Sequence, residues 1–263
     1  MKLSIITINY NNKDGLQKTI DSVITQTYKD FEWIIIDGGS TDGSKELIEQ
    51  YADYITYWVS EPDKGIYNAM NKGILASHGE YLYFLNSGDY LVKTTTIQDV
   101  FSKSNGADII NGNLLKLTEP VRRDYGIHSD YVTCFDLFKG NLNHQSTFIK
   151  KNLFQKHGLY DESLKIAADW KFFFQVLIVY NCSIQYINID IACFDMSGLS
   201  QKAMQQTKKE RADYLVEVLP IKVIEDYNYN LHQSEIQKYK FARLLFSILY
   251  RITVWYDQFR FHK

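Results

Sequence analysis

Cysteine is scarce in this sequence. Of 263 residues only three are cysteine: Cys134, Cys182 and Cys193, far apart and with no Cys-x-x-Cys pair. That excludes a disulfide framework and a thiolate zinc site, and it fits a reducing compartment. An excess of charge of one sign is also missing. The formal net charge of -2 argues against nucleic acid as a partner. No apolar run approaches the roughly 18 residues of a membrane span. Met1-Lys2 leads straight into Leu3-Ser-Ile-Ile-Thr-Ile8, too short and too β-branched for a signal peptide. These absences predict a cytoplasmic protein, with association at the inner face of a membrane left open.

Aromatic residues, in contrast, are plentiful. The chain carries 20 Tyr and 15 Phe, so some rings are expected outside the core, where sugar-binding clefts and membrane-facing surfaces use them. The remaining composition, 45% hydrophobic and 23% charged, is that of an ordinary globular protein. The length suits one large α/β domain with an appendage, or two small domains.

Hydrophobic patterning supplies the fold class. Leu3 to Ile8 and Phe31 to Ile36 are near-continuous, β-branched runs that predict buried strands, and Tyr81 to Leu85 is a third, partly aromatic one. Between them, helices are predicted from about Gly15 to Gln26, up to about Tyr51, and over Ile66 to Ser77. Strand alternating with helix predicts a mainly parallel sheet flanked by helices, with ligands bound at the carboxyl ends of the strands. Those ends carry Asn9, Asp37 and, past Asn86-Ser87-Gly88, Asp89.

Each of these residues has a plain alternative. Asn86-Ser87-Gly88-Asp89 has the composition of a simple turn, but a carboxylate after a buried strand also suits a hard cation shared with substrate phosphates. Ser40, Thr41 or Asp42 can cap the following helix, yet capping does not require Asp37, whose carboxylate can accept a base N–H. Gly38-Gly39-Ser40-Thr41-Asp42-Gly43 is no Gly-x-Gly-x-x-Gly fingerprint, which weighs against a dinucleotide-dependent dehydrogenase. Asn9-Tyr10-Asn11-Asn12 is no Gly-rich phosphate loop, which weighs against a nucleotidyltransferase. Lys64 and Lys72, after Pro62, can face a diphosphate or simply water. Asp169 opens a helical stretch from Trp170 to Val179, where an N-cap role competes with a catalytic one.

Four segments, Leu3 to Asn12, Ile36-Asp-Gly-Gly-Ser-Thr-Asp-Gly43, Asp63-x-Gly…Asn71-Lys-Gly73 and Phe84-Leu-Asn-Ser-Gly-Asp89, resemble in order and spacing family 2 of the inverting glycosyltransferases. A second set, Asn143-His-Gln-Ser-Thr-Phe148, Gly158-Leu-Tyr-Asp161, Ile166-Ala-Ala-Asp-Trp170 and Gly198-Leu-Ser200, is most similar to bacterial members that build surface polysaccharides. The resemblance implies a GT-A fold and a metal-dependent, inverting transfer from a nucleotide-sugar, of UDP type, to a glycan or lipid-linked acceptor. It places Thr7, Asn9, Asp37, Asp63, Asn71, Asn86 and Ser87 at the nucleotide and donor sugar. Asp89 then holds Mn²⁺ or Mg²⁺, and Asp169 is the catalytic base. His144, Gln145 and Trp170 are candidates for contact with acceptor or donor. The family's metal motif is thinned here, because Asn86 and Gly88 stand where further carboxylates are common. A nucleotide-sugar-binding subunit with little catalysis is therefore the rival expectation.

Residues 1–200 are expected to form the catalytic domain and residues 201–263 a helical extension. In the extension, Lys202 to Val218 reads as a helix, Pro220 interrupts it, and a longer helix is predicted from about Ser234. Phe241, Leu244, Leu245, Ile248, Leu249, Ile252, Trp255 and Phe259 share a stripe, with Lys240, Arg243, Arg251 and Arg260 largely off it. Such a stripe suits a membrane surface, a partner subunit or the chain's own catalytic domain. Gly198 and Ser200 are expected in a mobile flap or a plain connecting loop.

Overall fold

A computed structural model describes residues 1–117, 120–124, 126–195 and 201–260, with side chains described except at 201–202, 234–238, 242–243, 246 and 252–260. Gly198 and Ser200 lie outside the described residues. The first ninety residues alternate as expected, with one further strand, β3, that the patterning did not show: β1 (Leu3–Asn9), α1 (Lys13–Ile24), β2 (Phe31–Asp37), α2 (Ser44–Gln50), β3 (Tyr57–Ser60), α3 (Ile66–Ala76) and β4 (Tyr81–Phe84). These strands pair in parallel, β3 with β2, β2 with β1, and β1 with β4. Every residue of β1 and β4 is buried, which is why their sequences run apolar without alternation.

The chain continues through β5 (Tyr90–Leu91), α4 (Thr96–Lys103), β6 (Ile109–Leu117), β7 (Arg122–Asp124), α5 (Cys134–Lys139), β8 (Thr147–Lys150), α6 (Lys151–His157), α7 (Ala168–Phe174) and β9 (Ile184–Asp195). Among the described residues these strands complete one nine-stranded sheet in the order β3-β2-β1-β4-β8-β6-β9-β5, with β7 beside β6. β8 runs antiparallel to β4 and to β6, and β9 parallel to β6, so the sheet is mixed. The antiparallel β8 brings the segment just before it, His144 to Ser146, to the carboxyl end of β4. That one reversal joins the two halves of the sequence at a single edge.

The core beneath that edge is aromatic. Tyr83 stacks on Phe148 with ring centroids 4.5 Å apart, and Phe154 stacks on Phe172 at 4.2 Å. Much of the aromatic surplus is therefore structural. The helix predicted from Trp170 to Val179 is α7 to Phe174 and then a wider π-type turn, Gln175–Val179.

Helix α8 (Gln201–Val218) is followed after Pro220 by α9 (Ile221–Arg260). The second helix starts directly behind Pro220 and not near Ser234, because a proline is well placed just before or within a first helical turn. By its packing the chain divides between Ala212 and Asp213 into two compact units. Residues 201–212 of α8 fall in the first of these units and residues 213–218 in the second. In the second unit, Phe241, Leu244, Leu245, Ile248 and Leu249 of α9 are all exposed. No helix among the described residues is long and apolar enough to cross a membrane.

Candidate active site

Two cavities adjoin at the carboxyl edge of β1, β2 and β4. The first, about 560 Å³, is lined by Ile8, Asn9, Tyr10, Gly38, Asp63 and Ser87, among others. The second, about 750 Å³, takes in Lys18, Tyr67, Asp89, His144, Asp169 and Arg211. Ile66, Asn86 and Ser87 line both, so the turn after β4 is the wall where the two meet. Gly88 takes φ +101° in this turn, a left-handed value that a side chain would strain.

In the first cavity the strand-end residues organise one another. Asn9 and Asp37 are register partners on β1 and β2, and Ser60 is the partner of Asp37 on β3. The Asp37 carboxylate accepts five hydrogen bonds: from Asn9 Nδ2 at 2.7 Å, Gly39 N at 3.2 Å, Ser40 N at 2.9 Å, Ser40 Oγ at 2.5 Å and Ser60 Oγ at 2.6 Å. Burial alone would raise its pKa, but these donors outweigh that and hold the carboxyl below the usual Asp value. Asp37 is 0% exposed and does not line the cavity. In this structure the acceptor capacity of Asp37 is engaged in fixing the turn.

A different carboxylate faces this cavity. Asp63 anchors one oxygen on Gly65 N at 2.8 Å, and its other oxygen lies over Gly38. A Cβ at residue 38 would sit 2.6 Å from that oxygen and 3.1 Å from the Tyr10 ring. Glycine at 38 is what lets Asp63 and Tyr10 approach each other. Asn9 Oδ1, buried beside them, has no hydrogen-bond partner among the described atoms.

Three other residues expected at the donor or acceptor, Thr7, Asn71 and Trp170, are buried against protein partners. Thr7 is fully buried two residues short of the strand end, and its Oγ1 accepts from Trp33 Nε1 at 3.0 Å. Asn71 is spent on structure: its Nδ2 donates to Tyr160 O and Glu162 Oε1, both at 2.9 Å, and its Oδ1 accepts from Tyr160 N at 3.0 Å. Trp170 is 1% exposed and gives its indole N–H to Leu137 O at 2.9 Å. Lys72 pairs with Glu61 at 2.6 Å, away from either cavity lining.

The second cavity gathers residues far apart in sequence. His144 Nδ1 lies 3.0 Å from Asp169 Oδ2, and its Nε2 lies 3.2 Å from Asn86 Nδ2. Since the Asn86 amide donates to Nε2, the ring proton belongs on Nδ1, where it is given to Asp169. Asp169 Oδ1 accepts from Trp170 N at 2.8 Å and lies 3.2 Å from the Tyr67 hydroxyl. Burial, and then the Asp169 charge, push the Tyr67 phenol well above its usual value, so it stays a donor. Asp169 sits inside the first turn of α7, and Ala167 holds the cap position. The N-cap alternative therefore does not account for it.

Gln145 lines this cavity too, and its carbonyl accepts from Tyr83 at 2.8 Å. Lys18, Lys165 and Arg211 add positive charge to the wall. Burial lowers the Arg211 pKa, against the opposing charge of Asp169. Among the described residues no three His, Cys, Asp or Glu side chains form a metal cluster. The residues still fit an ion that borrows its other ligands from a substrate. Asp89 supplies a carboxylate at the wall, and the buried Asn86 Oδ1 has no hydrogen-bond partner among the described atoms.

Residues 4–147 match the model of the family described as Glycosyl transferase family 2. The chain belongs to this glycosyltransferase family. Its relatives include an uncharacterized glycosyltransferase of Mycobacterium tuberculosis, 32% identical over 75% of this chain and 76% of the relative. A PGL/p-HBAD biosynthesis glycosyltransferase of Mycobacterium bovis is 28% identical over 75% of this chain and 78% of its own length. Among solved structures, S. aureus TarS 1–349 in complex with UDP-GlcNAc superposes with a TM-score of 0.62 at 17% identity, covering 84% of this chain and 68% of that one. The mannosyltransferase PcManGT from Pyrobaculum calidifontis, in complex with GDP-Man and Mn²⁺, gives a TM-score of 0.60 at 13% identity, covering 78% and 59%. Against a longer crystal structure of TarS this chain spans only 37% of the other chain's length. These likenesses establish the GT-A fold. The glycosyltransferase's own sequence hid Tyr10, Tyr67, Glu210 and Arg211. The tyrosines are lost among many, and the last two sit in the run Lys208-Lys209-Glu210-Arg211, which reads as a solvated helix face.

Proposed function

We propose that this glycosyltransferase moves a hexose or N-acetylhexosamine, with inversion, from a UDP-sugar to a glycan or lipid-linked acceptor in bacterial surface-polysaccharide synthesis. The observation that carries this reading is the Asp169 carboxylate, held by His144 at 3.0 Å in a cavity that also contains Asp89 and joins the base-sized cavity at Asn86. The first cavity suits the nucleoside, with Tyr10 offering a ring to stack on and Asp63 and Asn9 Oδ1 offering acceptors to a base N–H. The diphosphate then lies past Asn86-Ser87, toward Asp89, Lys18 and Lys165.

In the proposed reaction the acceptor hydroxyl hydrogen-bonds to Asp169. As its oxygen bonds to the anomeric carbon, the proton passes to the carboxylate and the C1–O bond to the diphosphate breaks, the diphosphate leaving with the electron pair. One base and no enzyme nucleophile give a single displacement, hence inversion. Base catalysis of this kind is worth roughly 10²–10⁴-fold. His144 orients the base through its Nδ1–H. Mn²⁺ or Mg²⁺, held by Asp89 and Asn86 Oδ1 together with the donor, would supply charge neutralisation for the leaving group.

The exposed apolar residues Phe241, Leu244, Leu245, Ile248 and Leu249 of α9 are proposed as a contact for the inner membrane face, where a lipid-linked acceptor resides. The thinned metal motif favours one rival, a donor-binding subunit without turnover. Sugar transfer by Asp169→Asn separates them. We expect a loss of roughly 10²-fold or more in kcat with UDP affinity kept. An unchanged rate sinks the base assignment, and a wild-type protein that binds UDP without turning over any donor supports the rival.

A further inference from the structure

The base assignment leaves open what holds Asp169 in place from behind. It stands one residue into α7, and the segment leading there, Lys165 to Ala167, has three consecutive backbone N–H groups that no turn or strand satisfies. All three converge on one side chain from another element. Glu210 of α8 accepts from Lys165 N at 3.0 Å, Ile166 N at 3.1 Å and Ala167 N at 2.9 Å, and also from Gln206 Nε2 at 2.9 Å. The side chain is 6% exposed. Burial would raise its pKa, but the Gln206 and backbone donors outweigh burial and keep it ionised.

From this geometry we infer that Glu210 is a positioning residue for the catalytic base, an inference that rests on Asp169 being that base. The peptide joining Ile166 to Ala167 is planar and is held at both ends. Its N–H is held by Glu210, and its carbonyl accepts from the Tyr67 hydroxyl at 2.5 Å. Tyr67 has one proton, and its other acceptor, Asp169 Oδ1, is farther away at 3.2 Å. By fixing that peptide, Glu210 directs the Tyr67 proton to Ile166 and leaves Asp169 Oδ1, which also accepts from Trp170 N, with capacity for an acceptor hydroxyl. Released from Glu210, the peptide rotates, Tyr67 donates to Asp169, and the carboxylate is both displaced and occupied. The residue after Glu210 extends the same arrangement. Arg211 lies over the Trp170 ring at 5.0 Å and donates to Gly140 O at 3.1 Å, clasping the other flank of α7.

Glu210→Gln is the direct test, since an amide has one acceptor oxygen for four donors and turns an N–H₂ toward N–H groups. The readout is UDP release from the best donor in a panel of UDP-hexoses and UDP-N-acetylhexosamines, with UDP binding measured by calorimetry. A displaced base is expected to lower kcat by about tenfold to a hundredfold, while UDP affinity stays within about twofold. Glu210→Asp, shorter but still anionic, should recover part of the rate. An unchanged kcat overturns the inference, and so does a loss of kcat that tracks equal losses of UDP affinity and melting temperature. If Glu210→Gln does not fold, Gln206→Ala removes one of the four hydrogen bonds and should show a smaller loss confined to kcat; a normal rate there overturns it as well. If Asp169→Asn keeps the wild-type rate, the base reading fails first. If Asp169→Asn is inactive and Glu210→Gln is normal, only the positioning role fails.

Discussion

The two ends of the cleft are built on opposite principles. Around Asp37 the polar groups largely satisfy one another, with Asn9 Oδ1 the one buried atom there that lacks a partner among the described atoms. Five donors meet one carboxylate, Ser40 Oγ also accepts from Asn11 N at 2.8 Å, and Asn11 Oδ1 accepts from Thr41 N at 2.8 Å. Around Asp169 the polar groups are fewer, and capacity remains: Asn86 Oδ1, Asn141 Oδ1 and Arg211 Nε are buried without partners among the described atoms. A closed network is rigid and shapes a surface. An open one retains capacity that a substrate must complete, because buried polar groups are costly to leave unpaired. On the proposed function, binding is pre-shaped at the nucleoside end and transition-state charge is met at the other.

That contrast can be broken by substitution at the closed end. Asp37→Asn deprives several buried donors of their acceptor at once, so the expected effect is on the fold. We predict a loss of about 2–4 kcal/mol in denaturant unfolding, with catalysis falling only as folded protein is lost. A stable Asp37→Asn variant with poor UDP affinity would instead restore a direct role for Asp37 at the base.

A smaller and more selective effect is expected at Asp63. Asp63→Asn should weaken UDP binding by roughly tenfold, the worth of one charge-assisted hydrogen bond, and leave kcat unchanged at saturating donor. Gly38→Ala, whose Cβ would lie 2.6 Å from the Asp63 carboxylate, should mimic it by displacing that oxygen. Loss of kcat with normal UDP affinity in either variant would move Asp63 from the nucleoside to the reacting end.

The smallest effect is one of pH. Asp37, Glu210 and Asp161 all have depressed carboxyl pKa values in the folded protein; burial opposes this in each, and hydrogen-bond donors prevail. Asp161, bonded to Lys171 and Ser163, is held at about 2. Groups depressed by folding stabilise above their unfolded pKa values, near 4, and that contribution is lost as pH falls through the folded values. Melting temperature should therefore be flat in these terms from about pH 7 to 5 and decline below about pH 4. Asp37→Asn should flatten part of the decline; an unaltered acid profile would show that its network adds little.

How much of this was legible differs from element to element. The strands β1, β2 and β4 could be read from β-branched and aromatic runs, because burial on both faces demands such residues. The edge they share could be read as well, since parallel strands deliver their ends to one side. Depth along a strand could not. Thr7 and Asn9 share a face by the two-residue period, yet Thr7 stops short of the edge and meets Trp33. The family's pattern placed a carboxylate near the base, but whether Asp37 or Asp63 faces the cavity depends on Ser60 arriving from β3 and on the space above Gly38.

The sequence by itself determined the main strand and helix alternation of the first ninety residues, the glycosyltransferase family and the identity of the carboxylates, because local patterning and motif spacing are properties of contiguous residues. Only the tertiary structure decided which carboxylates face the cavities and which are enclosed. The reversal of β8 brings His144 between Asn86 and Asp169, and α8 returns to set Glu210 behind the segment that leads into Asp169. These meetings join residues tens of positions apart through hydrogen bonds whose partners no local pattern specifies. Asp37 and Asp63 are the same side chain in the same family motif set, and the donors that fold around each one leave Asp63 lining the cavity and Asp37 enclosed.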